Sequence, residues 1–419
     1  MTNKNRLFSK SLLAVAITLS SGQALAAGFQ LNAQSATGLG RAFAGDAVIA
    51  DNASVMARNA AAMALFDEKA LSLGFETITT MIDVSDATYT NIVGNDFDAD
   101  YDDAGGTSVA PNIHFIMPIN DTWAVGINGY SNFGTSTDFP DDYAGGEYGG
   151  KTEIFSANLG LAASYRLNEH WSFGAGLDFI YGKGTIKRSI SDKQPSALPV
   201  PGVGLVPLAG QTVVDVDDAT GFGVGFNVGT VYEINDNNRF GLSYHYSPDI
   251  TAEDDDNNKI TLPLPDMLEF SGYNRFTGTK FAVHYSIQWI NWSEFDLLDF
   301  SGSGPYGDME SSKYEWKDGY HFALGGTYYL NNDWTLRAGY MYDISAQDEI
   351  TSISVPDSDR QWFSAGFTYH INQKSNVDFG FTYLLGQDID ATEVQDISSI
   401  NATTHADAVL VGLQYSRTF

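Results

Sequence analysis

Apolar and polar residues alternate along most of the chain that follows Leu71. In the first such stretch Leu71, Leu73 and Phe75 are separated by Ser72 and Gly74. A period of two residues is the pattern of a β-strand, whose successive side chains point to opposite faces. The same period recurs at residues 123–127, 154–167, 222–228, 281–289, 363–369 and 409–415. Stretches of about 9 to 15 residues are long enough to cross a bilayer as tilted strands.

The connections between these strands alternate strictly between short and long. Six short polar turns, such as Asn331-Asn332-Asp333, separate seven long connections, such as residues 189–220. Thirteen connections join about 14 strands and leave both termini on the side of the short turns. An even strand number with loops of this kind is typical of bacterial outer-membrane barrels. We therefore predict an all-β transmembrane barrel of about 14 antiparallel strands, because a soluble β-sandwich would not separate its loop lengths so regularly.

The first 26 residues have the features of a secretory signal peptide. Lys4, Arg6 and Lys10 are followed by a short apolar run at residues 12–19 and by Ala-Leu-Ala at residues 24–26. This order of positive, apolar and small residues predicts cleavage before Ala27. A membrane anchor is the alternative, but the apolar run is much shorter than the roughly 20 residues of a spanning helix.

Residues 27–66 differ in composition from everything that follows. They are rich in Ala, Gly and small polar residues and contain few apolar anchors, and the chain has no cysteine. About 40 residues of this kind cannot build a core of their own. We predict that residues 27–69 form a hatch, or plug, inside the lumen of a barrel made by residues 70–419.

Charge and aromatic content narrow the class of partner. A formal net charge of −30 excludes nucleic acid as a binding partner. Aromatic residues make up 13% of the chain, which suits two girdles at the membrane interfaces. The acidic residues gather in the long loops, as at residues 96–103, but Tyr101 and Thr107 occupy positions where a calcium loop needs Gly and Glu. We interpret these loops as a solvated outer rim that contacts lipopolysaccharide, and we predict no metal and no other cofactor.

One long loop is apolar where the others are polar. Residues 197–208 have the sequence ALPVPGVGLVPL, and residues 262–265 have the similar apolar sequence LPLP. An apolar surface on an outer loop indicates a binding site or the cover of one. The alternative, compatible with the first, is that the two segments pack on each other as a lid. The predicted landing surface for a hydrophobic ligand consists of Leu198, Val200, Val203, Leu205, Val206 and Leu208.

The second and third predicted strands contain residues that weaken a sheet. Pro111 and Pro118 remove backbone donors from the second strand, and Gly126, Gly129 and Gly134 lie in or after the third. A closed barrel has no edge at which prolines are normally tolerated. The pattern indicates either an ordinary bulge or a gap in the wall.

Many ordered segments resemble the FadL family of outer-membrane transporters for long-chain fatty acids. The matching segments are AGFQLN at 27–32, GLGRAFAGDA at 38–47, RN at 58–59, PNIHFIMPIND at 111–121, YAGGEYGG at 143–150, YRLNEHWSFG at 165–174, SGYNR at 271–275, KDGYHFALG at 317–325 and SISVPDSDRQWFSAG at 352–366. The resemblance extends over the whole mature chain. The resemblance implies a 14-stranded barrel closed by an N-terminal hatch, with a kink in the third strand that opens the wall toward the bilayer.

The resemblance also implies roles for particular residues. The kink and lateral opening would be formed by Ser131, Asn132, Phe133 and Gly134, and the carboxylate of the fatty acid would be bound by Arg188 and Lys317. Phe29 would lie beside the ligand. The Asn-Pro-Ala motif of the family's hatch is here Asn59-Ala60-Ala61, so one fixed φ angle is lost and one backbone donor is gained.

The function implied by the resemblance is passive, hatch-gated uptake of long-chain fatty acids with exit through the wall at strand three. A channel of the same family for neutral compounds such as aromatic hydrocarbons is the alternative. A lipid hydrolase is remote, because the chain has neither G-x-S-x-G nor H-E-x-x-H. An open, water-filled porin is a further alternative, but the predicted plug argues against an open channel. We expect a monomer in outer-membrane lipid.

Overall fold

The computed structural model describes residues 28–200, 202, 204–301, 303–304, 307–308, 312–348 and 350–419. The predicted signal peptide, residues 1–26, and Val203 of the predicted landing surface lie outside these ranges. Among the described residues, no helix combines the length and the apolar character that a bilayer crossing requires.

Fourteen antiparallel strands form one closed ring. They are β1 Ala70–Asn91, β2 Thr107–Pro118, β3 Trp123–Tyr130, β4 Lys151–Arg166, β5 Trp171–Ser189, β6 Thr212–Asn235, β7 Asn238–Tyr246, β8 Met267–Arg275, β9 Phe281–Ile290, β10 Gly319–Tyr329, β11 Trp334–Ile344, β12 Arg360–Asn372, β13 Ser375–Leu385 and β14 Ser398–Thr418. Each pairs with the next, and β14 returns to β1 with Thr418 opposite Ala70 and Ser398 opposite Asn91. The predicted 14-stranded barrel is confirmed.

The alternation in sequence becomes an alternation between lumen and bilayer. Along β1, Leu73 and Phe75 are exposed on the outside, whereas Ser72 and Glu76 are buried within. Aromatic pairs lie near the short turns, where Trp171 and Tyr232 have ring centroids 4.7 Å apart. Rings at this level are typical of a girdle at the membrane interface.

Short elements complete the described structure. Beyond the barrel strands, short strands occupy Asp96–Asp98, Gly134–Asp138, Ala197–Val200, Gly204–Pro207, Ile250–Glu253, Lys259–Leu262, Leu297–Ser301, Ser303–Gly304, Gly307–Asp308, Ser312–Lys313 and Ile389–Gln395, and a 3₁₀ turn spans Trp292–Glu294. Most of them extend the long connections on one side of the barrel.

The N-terminal segment, residues 28–69, has little regular structure and packs against the inward faces of the strands. It contains the short helix α1, Ala36–Leu39, and two 3₁₀ turns, Ala53–Ala57 and Ala60–Leu65. Ser35, Asn52 and Asn59 cap these three elements with their side chains. Side-chain caps satisfy the first backbone donors of each short turn, which has too few internal hydrogen bonds to stand alone.

A row of inward-facing glycines brings the N-terminal segment unusually close to the wall. A Cβ at Gly339 would lie 2.1 Å from the carbonyl oxygen of Arg41, and one at Gly380 would lie 2.3 Å from that of Ala36. The sheet register pairs Gly325 with Gly339, and Gly380 with both Gly366 and Gly412. Gly339 lies opposite Ser364, two residues before Gly366. We call Gly325, Gly339, Gly366, Gly380 and Gly412 of β10–β14 the glycine seat.

Candidate functional site

The barrel wall is interrupted next to β3. Strand β3 ends at Tyr130, and the chain resumes strand pairing with β4 only at Gly134–Asp138. Strand β2 pairs with β3 from Ile113 to Pro118, and within the described residues no strand pairing joins Thr107–Asn112 to the Gly134–Asp138 strand. Pro111 lies in this stretch, as expected for a residue that sheets tolerate only at an edge. Residues Ser131, Asn132 and Phe133 therefore lie at a break in the wall.

The N-terminal segment supplies backbone partners at this break. The N–H of Leu31 donates to the carbonyl oxygen of Asn132 at 2.6 Å, and the N–H of Gly134 donates to that of Phe29 at 2.9 Å. A single antiparallel bridge joins Gln30 to Phe133. The first described residues of the chain thus complete the hydrogen bonding that the interrupted strand lacks.

The side chain of Phe29 is fully buried in an aromatic cluster formed by Phe29, Phe133, Trp292, Phe295 and Trp316. Its ring centroid lies 4.5 Å from that of Trp292 and 5.3 Å from that of Phe295. Edge-to-face pairs at these distances contribute about 0.5–1.5 kcal/mol each beyond the burial of area. The cluster therefore anchors the tip of the N-terminal segment beside the break.

Gly28 approaches this cluster more closely than any side chain would allow. Its φ of +64° is in the left-handed region, and a Cβ there would lie 2.5 Å from Trp316 and 2.7 Å from Trp292. The N–H of Gly28 donates to a carboxylate oxygen of Asp357 at 3.2 Å. The tip is consequently fixed by backbone contacts on two sides.

Charged pairs hold the rest of the N-terminal segment. The Arg41 guanidinium lies 2.6 Å from Asp46 and 2.8 Å from Asp51, and Asp51 in turn lies 3.1 Å from Arg337 of β11. A second guanidinium, that of Arg58, lies 3.3 Å from Glu269 of β8. Breaking a buried ion pair by removing one partner costs about 3–5 kcal/mol. These pairs fix the segment to two strands of the wall, β8 and β11.

The two cations predicted to bind a carboxylate occupy different environments. Arg188 is half-buried near the outer end of β5 and donates to the carbonyl oxygens of Lys151 and Lys187 at 2.8 and 2.9 Å. It also donates to the hydroxyl of Thr152 at 2.7 Å. Lys317 is exposed just before β10, with its Nζ 3.3 Å from Asp348. No hydrogen bond or ion pair joins Arg188 to Lys317 in the described structure, so their shared role stays a prediction.

The Asn59-Ala60-Ala61 motif forms a capped turn against the wall. The Asn59 side chain accepts from the N–H of Ala61 at 3.0 Å and donates to the carbonyl oxygens of Ala47 and Thr230 at 3.0 and 3.2 Å. Ala60 and Ala61 are buried. Asn59 therefore caps the turn at the position where the resemblance implies a proline in place of Ala60.

The predicted landing surface is a hairpin in the long connection between β5 and β6. Ala197–Val200 pairs with Gly204–Pro207, which brings Leu198 opposite Val206. Leu205 is 76% exposed, whereas Leu208 is buried. An exposed leucine on an outer hairpin suits a first contact with a hydrophobic molecule, and the role of these residues stays a prediction.

The interior has little free space next to the N-terminal segment. Cavities of about 10 Å³ beside Gln30 and Arg58 and about 20 Å³ beside Phe133 and Leu264 are smaller than the volume of one acyl chain. A larger depression of about 760 Å³ lies on the bilayer side of β2–β6, where Ile127, Leu161 and Leu177 are exposed. This depression is a lipid-facing surface and not part of the interior.

Sequence reasoning missed the glycine seat, the charged pairs and the two tryptophans of the aromatic cluster. A glycine at the inward position of consecutive strands was the available signal for the seat. The pairs of Asp51 with Arg337 and of Arg58 with Glu269, and the contacts of the two tryptophans with Phe29, join residues far apart in the chain and leave no local pattern. No group of three metal-binding side chains comes together among the residues that the structure describes.

Comparisons with known proteins agree with this architecture. Residues 17–419 match the family described as "Outer membrane protein transport protein (OMPP1/FadL/TodX)". The chain is 39% identical over 424 residues to a long-chain fatty acid transport protein of Salmonella typhi, which covers 93% of this chain and 95% of the relative. It is 36% identical to outer membrane protein P1 of Haemophilus influenzae over 98% of this chain and 99% of the relative.

Solved structures show the same fold at lower identity. The crystal structure of a Pseudomonas aeruginosa FadL homologue has a TM-score of 0.80 at 20% identity, covering 94% of this chain and 100% of that one. The Pseudomonas putida toluene transporter TodX has a TM-score of 0.65 at 17% identity, covering 88% and 94%. The fold is therefore shared between relatives whose names specify different hydrophobic compounds.

Proposed function

Because the chain belongs to the FadL/TodX family of outer-membrane transport proteins, we propose that it takes up long-chain fatty acids across the outer membrane of a Gram-negative bacterium. Members of this family are transport channels and not enzymes. In this proposal residues 27–69 act as a hatch, and the ligand leaves sideways through the break beside β3. The protein acts as a monomer, with an acidic outer rim in contact with lipopolysaccharide.

One observation carries the proposal. The tip of the hatch shares its backbone hydrogen bonds with the broken strand, through Leu31 to Asn132 and through Gly134 to Phe29. The same movement that withdraws the tip from the lumen therefore also removes it from the break. Hatch release and lateral opening become a single event.

The ligand's path follows from the apolar surfaces and the cations. The acyl chain first contacts the hairpin that carries Leu205, and its carboxylate is then held by Arg188 and Lys317. An apolar tail with one carboxylate needs a covered path and a few positive groups. Displacement of Phe29 from the aromatic cluster opens the way to the break at Ser131–Gly134, and the tail enters the bilayer.

The solvent explains why a covered path is needed. A 16-carbon tail loses roughly 0.8 kcal/mol for each CH₂ group moved into water, or on the order of 12 kcal/mol in all. A protein that keeps the tail covered between the outer surface and the bilayer removes this barrier. Diffusion down a gradient is then sufficient, because lipid is the final solvent of the tail.

A disulfide between hatch and wall tests the proposal directly. The chain has no cysteine, so Gln30→Cys with Phe133→Cys introduces one defined pair. Directly opposed residues of an antiparallel bridge have Cα atoms about 4.5–5.5 Å apart, which is within the range of disulfides. In a strain that lacks its own transporter, we expect the oxidised variant to take up little labelled oleate and the reduced variant to recover uptake.

Two controls make the result specific. Each single-cysteine variant reports the effect of losing Gln30 or Phe133 alone, and Leu336→Cys with Phe367→Cys cross-links two wall strands without touching the hatch. Unchanged oleate uptake through the oxidised hatch-to-wall disulfide would refute coupled gating. If the unmodified chain confers no oleate uptake, the choice of substrate is wrong.

Neutral hydrocarbons are the second candidate, since the fold is shared with toluene transporters and the interior cluster is aromatic. The double variant Arg188→Ala with Lys317→Ala separates the two ligands. Removing the cations should lower oleate uptake and leave toluene uptake unchanged if fatty acids are the ligand. Unchanged oleate uptake in the double variant would show that Arg188 and Lys317 do not bind the carboxylate.

A further inference from the structure

Two buried indole groups in the aromatic cluster are left without a hydrogen-bond acceptor. Trp292 is 0% exposed and Trp316 is 4% exposed, and neither Nε1 reaches an acceptor among the described residues. Buried polar groups in folded proteins are nearly always paired, so an unpaired donor calls for an explanation. Two such donors in one cluster point to a ligand that supplies the acceptor.

Two other tryptophans of the same barrel have paired indole N–H groups. Trp289 donates its Nε1–H to Asp318 at 2.8 Å, and Trp362 donates to Asp343 at 3.2 Å. Trp362 is as deeply buried as Trp292. Burial inside this barrel therefore does not by itself leave an indole unpaired, and the exception is confined to the aromatic cluster.

Phe29 fills the space that a ligand would use. Its ring lies 4.5 Å from that of Trp292 and 5.9 Å from that of Trp316, measured between centroids, and the two indole rings are 5.1 Å apart. A phenyl ring offers no strong acceptor to an N–H group. When Phe29 withdraws with the tip of the hatch, a space opens beside the rings of Trp292 and Trp316, whose two N–H groups are unpaired.

We propose that Trp292 and Trp316 form an inner station for the ligand's head group, where their indole N–H groups donate to the oxygens of a carboxylate. This inference rests on the proposed function and adds a step between the outer cations and the break in the wall. The ligand class is an amphiphile with an acidic head group and an apolar tail.

The position of the cluster fits a step of this kind. Tyr314 packs against Phe295 and Trp316, with ring centroids at 4.9 and 5.9 Å, and lies within electrostatic reach of Arg188. The head group can thus pass from Arg188 along Tyr314 to the indoles. An indole is a neutral donor, so it holds a carboxylate less strongly than a guanidinium does and lets it move on.

The test removes the donors and keeps the rings. Trp292→Phe, Trp316→Phe and the double variant are compared with Trp334→Phe, which removes an indole near the short turns at the far end of β11. Full-length protein in lipid nanodiscs is titrated with labelled oleate and, separately, with labelled octadecane, and binding to empty nanodiscs is subtracted. We expect the double variant to bind oleate at least about tenfold more weakly and to bind octadecane as the unmodified chain does.

Ultraviolet resonance Raman spectra provide the second readout, since indole bands respond to hydrogen bonding of the N–H group. Oleate should shift these bands in the unmodified chain and in Trp334→Phe, and the double variant should lack the shift. Equal losses of oleate and octadecane binding, or an unchanged oleate affinity in the double variant, would overturn the inner station. Oleate uptake by the unmodified chain is judged separately, so a wrong substrate for the whole protein and a wrong station are distinguishable.

Discussion

Adding one methyl group to the glycine seat should loosen the hatch without changing the barrel. In Gly339→Ala the new Cβ would lie 2.1 Å from the carbonyl oxygen of Arg41 and 2.2 Å from its carbonyl carbon. Both are backbone atoms, so no side-chain rotation relieves the clash and the hatch must move away. Overpacking of this kind costs about 1–3 kcal/mol. This cost shifts the equilibrium between the hatch packed on the glycine seat and the hatch released from it by roughly 5- to 150-fold toward release.

Amide hydrogen exchange of folded protein measures this shift. Exchange at α1 and the residues up to Asp46 should accelerate by the same roughly 5- to 150-fold, because local opening sets the exchange rate. Gly326→Ala is the matched control on the adjacent strand, where the nearest atom to the new Cβ is the carbonyl oxygen of Ala282 at 3.7 Å. If the two variants exchange at equal rates, contact between wall and hatch backbone does not hold the segment, and the reasoning fails.

Three further results are expected. Gly28→Ala should lower the yield of the disulfide between cysteines at 30 and 133. The new Cβ would lie 2.5 Å from Trp316, and a φ of +64° strains an alanine by about 1–2 kcal/mol. An unchanged yield would show that the aromatic cluster does not hold the tip. Ala60→Pro should stabilise the hatch by about 0.4–1 kcal/mol, because residue 60 is the first of a capped turn and the residue before it, Asn59, already has the extended backbone that a proline requires. Slower hydrogen exchange in residues 53–65 would show this stabilisation. Burial raises the pKa of Glu393 to about 7, so above that pH its carboxylate is charged and competes with the ligand for Arg188. Binding of hexadecanesulfonate, whose charge is constant, should therefore weaken as the pH rises through about 7. Glu393→Gln should bind this ligand equally across the range, and a persistent pH dependence in that variant would exclude Glu393 as the cause.

The pH dependence also has a definite sign for stability. The pKa of Glu393 in the folded protein is higher than its ordinary value, so the folded state binds the proton more tightly than the unfolded state does. The contribution of this group to stability is therefore greatest in acid and is lost as the pH rises toward about 7. Glu393→Gln should reduce that loss.

The barrel was predictable because its determinants are local. A period of two requires only neighbouring residues, and the loop lengths between Leu71 and the C-terminus fix the strand number once the strands are recognised. Pro111 indicated an edge where a closed barrel has none, and the structure has a break in strand pairing at that place. The sequence did not distinguish a β-bulge from a gap in the wall, because a proline shows only that one backbone donor is missing and not whether a neighbouring strand is present.

The interior of the barrel was much less predictable. The ion pair of Asp51 with Arg337 joins residues 286 positions apart, and the contact of Phe29 with Trp292 joins the start of the chain to the end of β9. Neither has a repeating pattern. The resemblance supplied Arg188 and Lys317, but it could not give their environments, which differ because one lies at the end of a strand and the other pairs with Asp348 on the surface.

The magnitudes indicate which part of the hatch has to move. Withdrawing the tip breaks two backbone–backbone hydrogen bonds, at about 0.5–1.5 kcal/mol each, and the bond from the N–H of Gly28 to the Asp357 carboxylate, at about 1.5–3 kcal/mol. It also exposes Phe29, at about 1.5–3 kcal/mol. Removing the whole hatch would also break the pairs of Arg58 and Asp51 with the wall, at about 3–5 kcal/mol each. A 16-carbon tail that gains on the order of 12 kcal/mol from burial can displace the tip without any other source of energy. Releasing the seated remainder as well would raise the cost to about the size of that gain, so in the proposed mechanism the tip moves and the remainder of the hatch stays in place.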